Sequence, residues 1–278
     1  MRSLEVGVCS WSMQVKSIPE LEKCLGEVGA RVVQLALGDP NHASWKEGDK
    51  LVEAAKRASF EISATMIGFP GEDYSTPDAI RRTGGFGDPA TRKKRLEIFR
   101  WAVDRTAELG ISILSTHAGF IPEPGKPERA SFLDCLGDAV DYAAGKDVIV
   151  ALETGQESVD LLRRTIDEID SPQLKVNFDP ANILLYDVGD PIRAIEPLAN
   201  DIVHVHVKDA IAPARPGEWG KEVPLGQGAV GMKEYIEELA RFAYEGPLVI
   251  EREVGDQKSR LKDIAQGIRL LKRTLAGG

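Results

Sequence analysis

Short apolar runs alternate with longer amphipathic segments along the whole chain. Eight runs read as strands: Glu5–Ser10, Arg31–Leu35, Glu61–Met66, Ile111–Thr116, Val148–Leu152, Leu174–Phe178, Ile202–Val207 and Leu248–Ile250. Several are nearly continuous in Val, Ile and Leu, as expected for parallel strands covered on both faces. The segments between them carry helix-start signals. Pro19 follows Ser17, Asp88-Pro89 opens a helix toward Leu109, and Asp190-Pro191 repeats that signature before Ile192–Leu198. Gly29, Gly110, Gly145 and Gly246 each stand just before a strand, where a helix end calls for a left-handed residue. Eight strand-then-helix units in series point to one (β/α)8 TIM barrel domain over residues 1–278, although a doubly wound sheet satisfies the same periodicity. The length also suits a barrel, which takes about 250 residues.

Two connections are longer than a barrel requires, 67–87 and 208–231, and both are rich in Gly and Pro. Each follows a strand and so belongs to the C-terminal face, where barrel enzymes carry their chemistry. Long loops without structure of their own tend to be lids or binding loops. Their aromatic residues, Phe69, Tyr74, Phe86 and Trp219, suit either closure over a ligand or anchorage to the rim.

Composition narrows the classes. Hydrophobic residues make up 42% and charged residues 28%, enough for an ordinary core. The net charge of −9 repels a phosphate backbone on average, so nucleic acid is not an expected partner. The run Arg92-Lys93-Lys94-Arg95 reads as a solvated helix face. Cys9, Cys24 and Cys135 are odd in number and widely spaced, which argues for free thiols in a reducing compartment. Met1–Val6 has an acidic residue where a signal peptide needs an apolar run, and no stretch of 18 apolar residues suggests a membrane span. The cytoplasm is the expected location.

Four residues able to bind metal fall at the ends of four consecutive strands: Glu153, Asp179, His206 and Glu251. Parallel strands bring those ends to one face. A single carboxylate after a strand is commonly a helix cap. Three of them beside an imidazole are costly together unless a cation neutralises them, so the set favours one divalent ion, Mn2+, Mg2+, Co2+ or Zn2+. Within His204-Val205-His206-Val207-Lys208, the period of two gives His204, His206 and Lys208 one face. His206 lies nearer the rim and is the expected ligand; His204 is expected to sit lower and to orient its neighbour. His117, at the end of the fourth strand, is a candidate substrate contact, and Trp11, after the first, suits stacking on a sugar face.

The segments Leu152-Glu153-Thr154-Gly155, Asn177-Phe178-Asp179-Pro180-Ala181-Asn182, His204–Asp209 and Ile250-Glu251 resemble the sugar phosphate isomerase/epimerase family of xylose isomerase-like barrels, relatives of ketose 3-epimerases and inosose dehydratases. The resemblance runs from Gly7–Trp11 to Ile250–Glu253. It implies that the quartet holds the ion, with Mn2+ foremost, and that Glu153 and Glu251 double as acid and base. It implies a small sugar as substrate and proton abstraction next to a carbonyl through an enediolate. Asn182 stands where many epimerases carry a substrate-binding His; it can hydrogen-bond a hydroxyl but cannot exchange a proton. Lys208 and Arg252 are further candidate substrate contacts, although no Gly-rich phosphate loop accompanies them. Such barrels often associate, so a homo-oligomer stays open, with no feature that fixes a dimer or a tetramer.

Three other readings compete. The same proton abstraction begins a β-elimination, so a lyase or dehydratase acting on a keto-inositol or 3-keto-glycoside is the main alternative. An apurinic endonuclease shares the fold but resembles a three-metal site rich in histidine, and this chain has only His42, His117, His204 and His206. A non-catalytic sugar- or metal-binding barrel is the third.

Overall fold

A computed structural model describes residues 4–38 and 45–277; His42 and Met1–Ser3 lie outside the described residues. Eight parallel strands close into a barrel: β1 (Val6–Cys9), β2 (Val32–Ala36), β3 (Glu61–Met66), β4 (Ile113–Thr116), β5 (Ile149–Glu153), β6 (Leu174–Phe178), β7 (Ile202–Val207) and, after a short hairpin of β8 (Asp209–Ile211) and β9 (Lys221–Val223), β10 (Leu248–Ile250). All eight coincide with the apolar runs to within two residues at either end. Closure is made where the chain's two ends meet, β1 pairing β10 through Val6–Leu248, Gly7–Val249 and Val8–Ile250. Gly7 is required by that contact: a Cβ there would stand 3.1 Å from Val32 and 3.2 Å from Val249. Two register shifts interrupt the ladders, between Val33 and Gln34 against β3 and between Val176 and Asn177 against β7. Such irregularities re-aim side chains, and here they flank the polar interior.

The helix signals hold at Ser17 and Asp88, whose side chains cap Ile18–Val28 and Pro89–Glu108. Asp190 accepts from the Ile192 and Arg193 amides, yet the chain makes turns after it and the helix covers only Ile195–Leu198. Gly29 and Gly110 take the expected left-handed conformation. Gly145 and Gly246 do not; Asp147 (φ 56°) and Ala243 (φ 56°) turn the chain instead.

Neither long loop is structureless. The first contains the helix Pro77–Thr83 and the second the β8–β9 hairpin. The basic run that suggested a solvated face is split: Lys93 and Lys94 are exposed, but Arg92 and Arg95 are buried beneath the first loop. Arg92 donates to the Phe86 and Gly87 carbonyls, Arg95 to those of Gly85 and Pro70, and the Arg95 guanidinium lies 5.4 Å over the Phe69 ring. Phe69 and Phe86 are buried and pack together at 5.2 Å, so they anchor the loop rather than close over a ligand. Charged hydrogen bonds of this kind contribute about 1.5–3 kcal/mol each. Arg95→Ala is therefore expected to cost about 3 kcal/mol, read as a lower urea midpoint at unchanged slope. An unchanged midpoint would mean that the aromatic packing holds the loop unaided.

Candidate metal centre and active site

The C-terminal ends of β5, β6, β7 and β10 deliver Glu153, Asp179, His206 and Glu251 to one point. His206 Nδ1 lies 3.3 Å from Glu153 Oε1, 3.3 Å from Asp179 Oδ2 and 3.5 Å from Glu251 Oε2. One ligand atom from each of the four falls within 4.8 Å of every other. All four are buried, with at most 5% of their surface exposed. Asp179 also caps the helix Pro180–Leu185, its Oδ1 accepting from the Ala181 and Asn182 amides at 2.8 and 3.0 Å, which leaves Oδ2 for the centre. The helix cap and the ligand position are thus served by two oxygens of one carboxylate.

The partners of the quartet differ in a useful way. Glu251 is held on both oxygens, by Trp11 Nε1 and by Lys208 Nζ, each at 2.6 Å. Glu153 Oε1 accepts from Asn182 Nδ2 at 2.9 Å, while Oε2 is buried with no hydrogen-bond partner and lies 3.4 Å from His117 Nε2. Burial pushes the Glu251 carboxyl up, and Glu253 adds to the rise, so that Lys208 and His206 do not offset it. Burial also opposes ionisation of Glu153, but His117 and His206 outweigh it and hold that carboxyl below its ordinary value. For Asp179 burial is overcome by Lys208 and His206, and the value falls to about 2. Burial disfavours the His206 cation; its neighbours Cys9, Glu153 and Glu251 reverse this and raise it well above the usual imidazole range. Three carboxyl groups buried around one imidazole form a site that favours a positive charge.

Several residues below the quartet were not singled out in the sequence. Gln34 on β2 reaches across the barrel and accepts from His206 Nε2 at 2.6 Å. Because its Oε1 can only accept, Nε2 carries a proton in this pair, and Nδ1 faces the carboxylates. His204 meets His206 edge to face, ring centroids 6.1 Å apart, and is joined to it by hydrogen bonding only through Asn177. Its Nδ1 is 3.0 Å from Asn177 Oδ1, the Asn177 amide nitrogen is 3.2 Å from His206 Nε2, and the far side of His204 meets Ser63 at 3.1 Å. Burial and the His206 charge lower the His204 pKa to about 3, so it is a neutral spacer. Cys9 belongs to a second, overlapping group with His206 and Glu251, but burial lifts its thiol to about 12.

A cavity of about 570 Å³ opens above the centre on the C-terminal face. Trp11, His117, Glu153, Asn182, Lys208 and Glu251 line it, as do Tyr74 and Trp219 from the two long loops. Trp11 joins the site through its indole nitrogen, which is committed to Glu251, rather than as a freely stacking ring. Arg252 does not line the cavity: its guanidinium is paired with Glu222 and with Asp263 at 3.0 Å. A larger hollow at the opposite mouth of the barrel, beside Leu4, Glu61 and Tyr244, contains none of the quartet.

A family model described as xylose isomerase-like TIM barrel matches residues 25–274. Among curated proteins, the chain is 29% identical over 173 residues to an L-ribulose-5-phosphate 3-epimerase, UlaE, of Salmonella paratyphi A; the match spans 60% of this chain and only 59% of that relative's length. Among solved structures, a xylose isomerase domain protein from Planctomyces limnophilus superposes with a TM-score of 0.87, at 29% identity and over 100% of both chains. A D-tagatose 3-epimerase-like protein follows with a TM-score of 0.73 at 21% identity, covering 98% of this chain and 97% of its own, a likeness of fold.

Proposed function

Since the chain belongs to the xylose isomerase-like TIM barrel family, we propose that it is a divalent-metal-dependent sugar isomerase or epimerase acting on a ketose or keto-sugar. The observation that carries this reading is the convergence of Glu153, Asp179, His206 and Glu251 within 4.8 Å at the floor of a cavity large enough for a small sugar. The donor set fits an ion: Glu153 Oε2 is a buried carboxylate oxygen with no hydrogen-bond partner, and the acidic groups exceed what Lys208 and His206 neutralise. Oxygen-rich donors with one imidazole and no ionised thiolate suit Mn2+ or Mg2+ first, with Co2+ and Zn2+ as lesser fits. When bound, such an ion polarises the substrate carbonyl and favours loss of the adjacent proton.

The chain's own residues supply the rest. Glu153, with one uncommitted oxygen, is suited to remove a proton from the carbon next to the carbonyl. Glu251, oriented by Trp11 and Lys208, is suited to return one from the other side. Asn182 keeps the Glu153 carboxylate in its rotamer, and His117 lies close enough to hydrogen-bond a substrate hydroxyl beside it. The UlaE similarity supports an epimerase, although it extends over part of that protein's length.

Elemental mass spectrometry of the purified protein tests the centre. About one divalent ion per chain is expected, and its loss from the Glu153→Gln, Glu251→Gln double variant. A metal-free protein after loading with Mn2+ would sink the reading, and close to three ions per chain would point to a nuclease-like site. Product analysis by NMR separates epimerisation from elimination, because only elimination removes a substituent.

A further inference from the structure

The cavity is one-sided in charge. Glu72, Glu153, Glu222, Glu251 and Glu253 line it; against them the described lining holds one ammonium, Lys208, and one imidazole, His117, which lies 3.4 Å from Glu153. That ammonium is spent: it is 2% exposed and donates at 2.6 Å to both Glu251 and Glu253. Arg252 is spent as well, on Glu222 and Asp263, and does not line the cavity. The first amides of the helix Pro180–Leu185 are taken by Asp179. On the outer rim Arg81 lies 4.1 Å over the Phe120 ring and does not line the cavity. The undescribed segment 39–44 contains neither Lys nor Arg.

A sugar phosphate carries about 1.5–2 negative charges at neutral pH. With the His117 imidazole set against Glu153, the described lining offers it no free lysine or arginine and no open cluster of amides. Even with a divalent ion on the quartet, the carboxylates in and beneath the cavity outnumber the positive charges. The remaining lining fits an uncharged polyol instead. Carboxylate oxygens accept from hydroxyls, and Tyr74, Tyr186 and Trp219 offer aromatic surface to the C–H face of a sugar, Tyr186 and Trp219 meeting edge to face at 4.8 Å.

We propose that this site takes an uncharged keto-sugar, a free ketose or a keto-glycoside, and rejects sugar phosphates and uronic acids. The inference rests on the keto-sugar reading above and is tested apart from turnover. Trp11 and Trp219 line the cavity, so intrinsic fluorescence of the Mn2+-loaded protein reports binding. D-fructose is compared with D-fructose 6-phosphate, and L-ribulose with L-ribulose 5-phosphate. In at least one pair the free ketose is expected to bind at least about 100-fold more tightly than its ester, the scale of like-charge repulsion in a confined site. Val254→Arg, which adds a cation on the exposed part of the lining, is expected to narrow that gap by about tenfold. Equal or tighter binding of the ester, or no binding of the free ketose in either pair, would overturn the proposal. Tight binding of a free ketose without exchange of its proton in deuterated solvent would leave the proposal standing and remove the isomerase reading.

Discussion

Glu153→Gln and Glu251→Gln are each expected to slow proton exchange at the carbon next to the substrate carbonyl by about 10²–10⁴-fold, the usual contribution of a positioned acid or base. Both substitutions keep the side-chain shape, and the one oxygen of Gln still serves Asn182 in the first and Trp11 in the second, where Lys208 keeps only Glu253 as acceptor. Each removes a charge and a titrating group. Because both glutamates are also expected ligands, lost exchange by itself confounds chemistry with metal loss. The comparison is therefore made at saturating Mn2+, with metal content measured on the same samples. A variant that carries its ion yet exchanges no proton has lost the acid or base. If either variant, fully loaded, keeps more than a tenth of wild-type exchange, that glutamate does not move the proton. The two losses are also expected to differ by substrate face, since the residues approach from β5 and β10 on separate arcs of the barrel.

The largest expected effect on stability comes from a residue with no side chain. Gly155 follows the β5 carboxylate with φ at 131°, a region that only glycine enters readily, and a Cβ there would stand 2.3 Å from Asn182 Cβ and 3.1 Å from its carbonyl carbon. Backbone atoms cannot yield as a flexible side chain can. Gly155→Ala combines a backbone cost of about 1–3 kcal/mol with overpacking of about 1–3 kcal/mol, so a loss of about 3–5 kcal/mol is expected. The disturbance is not confined to stability, because Asn182 binds Glu153 through its side chain and Asp179 through its amide. Metal retention should therefore fall with the midpoint of unfolding. Gly110→Ala serves as the control: it also has a positive φ, 75°, but open space around it, and should cost only about 1–2 kcal/mol and leave the ion in place. Equal losses in the two variants would mean that the Asn182 contact carries no weight.

How far the sequence reveals this molecule depends on where the determining contacts lie along the chain. Strands announce themselves by local apolar runs, so all eight barrel strands were legible, and with them the shared end of Glu153, Asp179, His206 and Glu251. Contacts that depend on barrel closure were not. Gln34 precedes its partner His206 by 172 positions and sits in a run that reads as uniformly buried strand. Nothing local distinguishes a glutamine that fixes a tautomer from one that fills space. Arg92 and Arg95 look like surface cations beside Lys93 and Lys94 until the loop ending at Gly87 folds back and offers them carbonyls. Arg252 was an attractive anion contact by position alone; Glu222 and Asp263, which claim it, come from the hairpin and the last helix. Gly145 and Gly246 failed as left-handed markers because Asp147 and Ala243 nearby take that conformation instead.

The depth of the quartet has a kinetic consequence. Asp179 and His206 are wholly buried, Glu153 and Glu251 line the cavity floor, and beneath His206 the barrel is filled by Gln34, Asn177 and His204. Among the described residues, the cavity lined by Glu153 and Glu251 reaches the four ligand positions from the C-terminal face. On the proposed reading, ion and sugar would share that corridor, and an ion bound at its floor would have to enter before the sugar. A sugar seated there would stand between the ion and solvent like a stopper, so that each turnover cycle would also be an interval in which the ion could not leave.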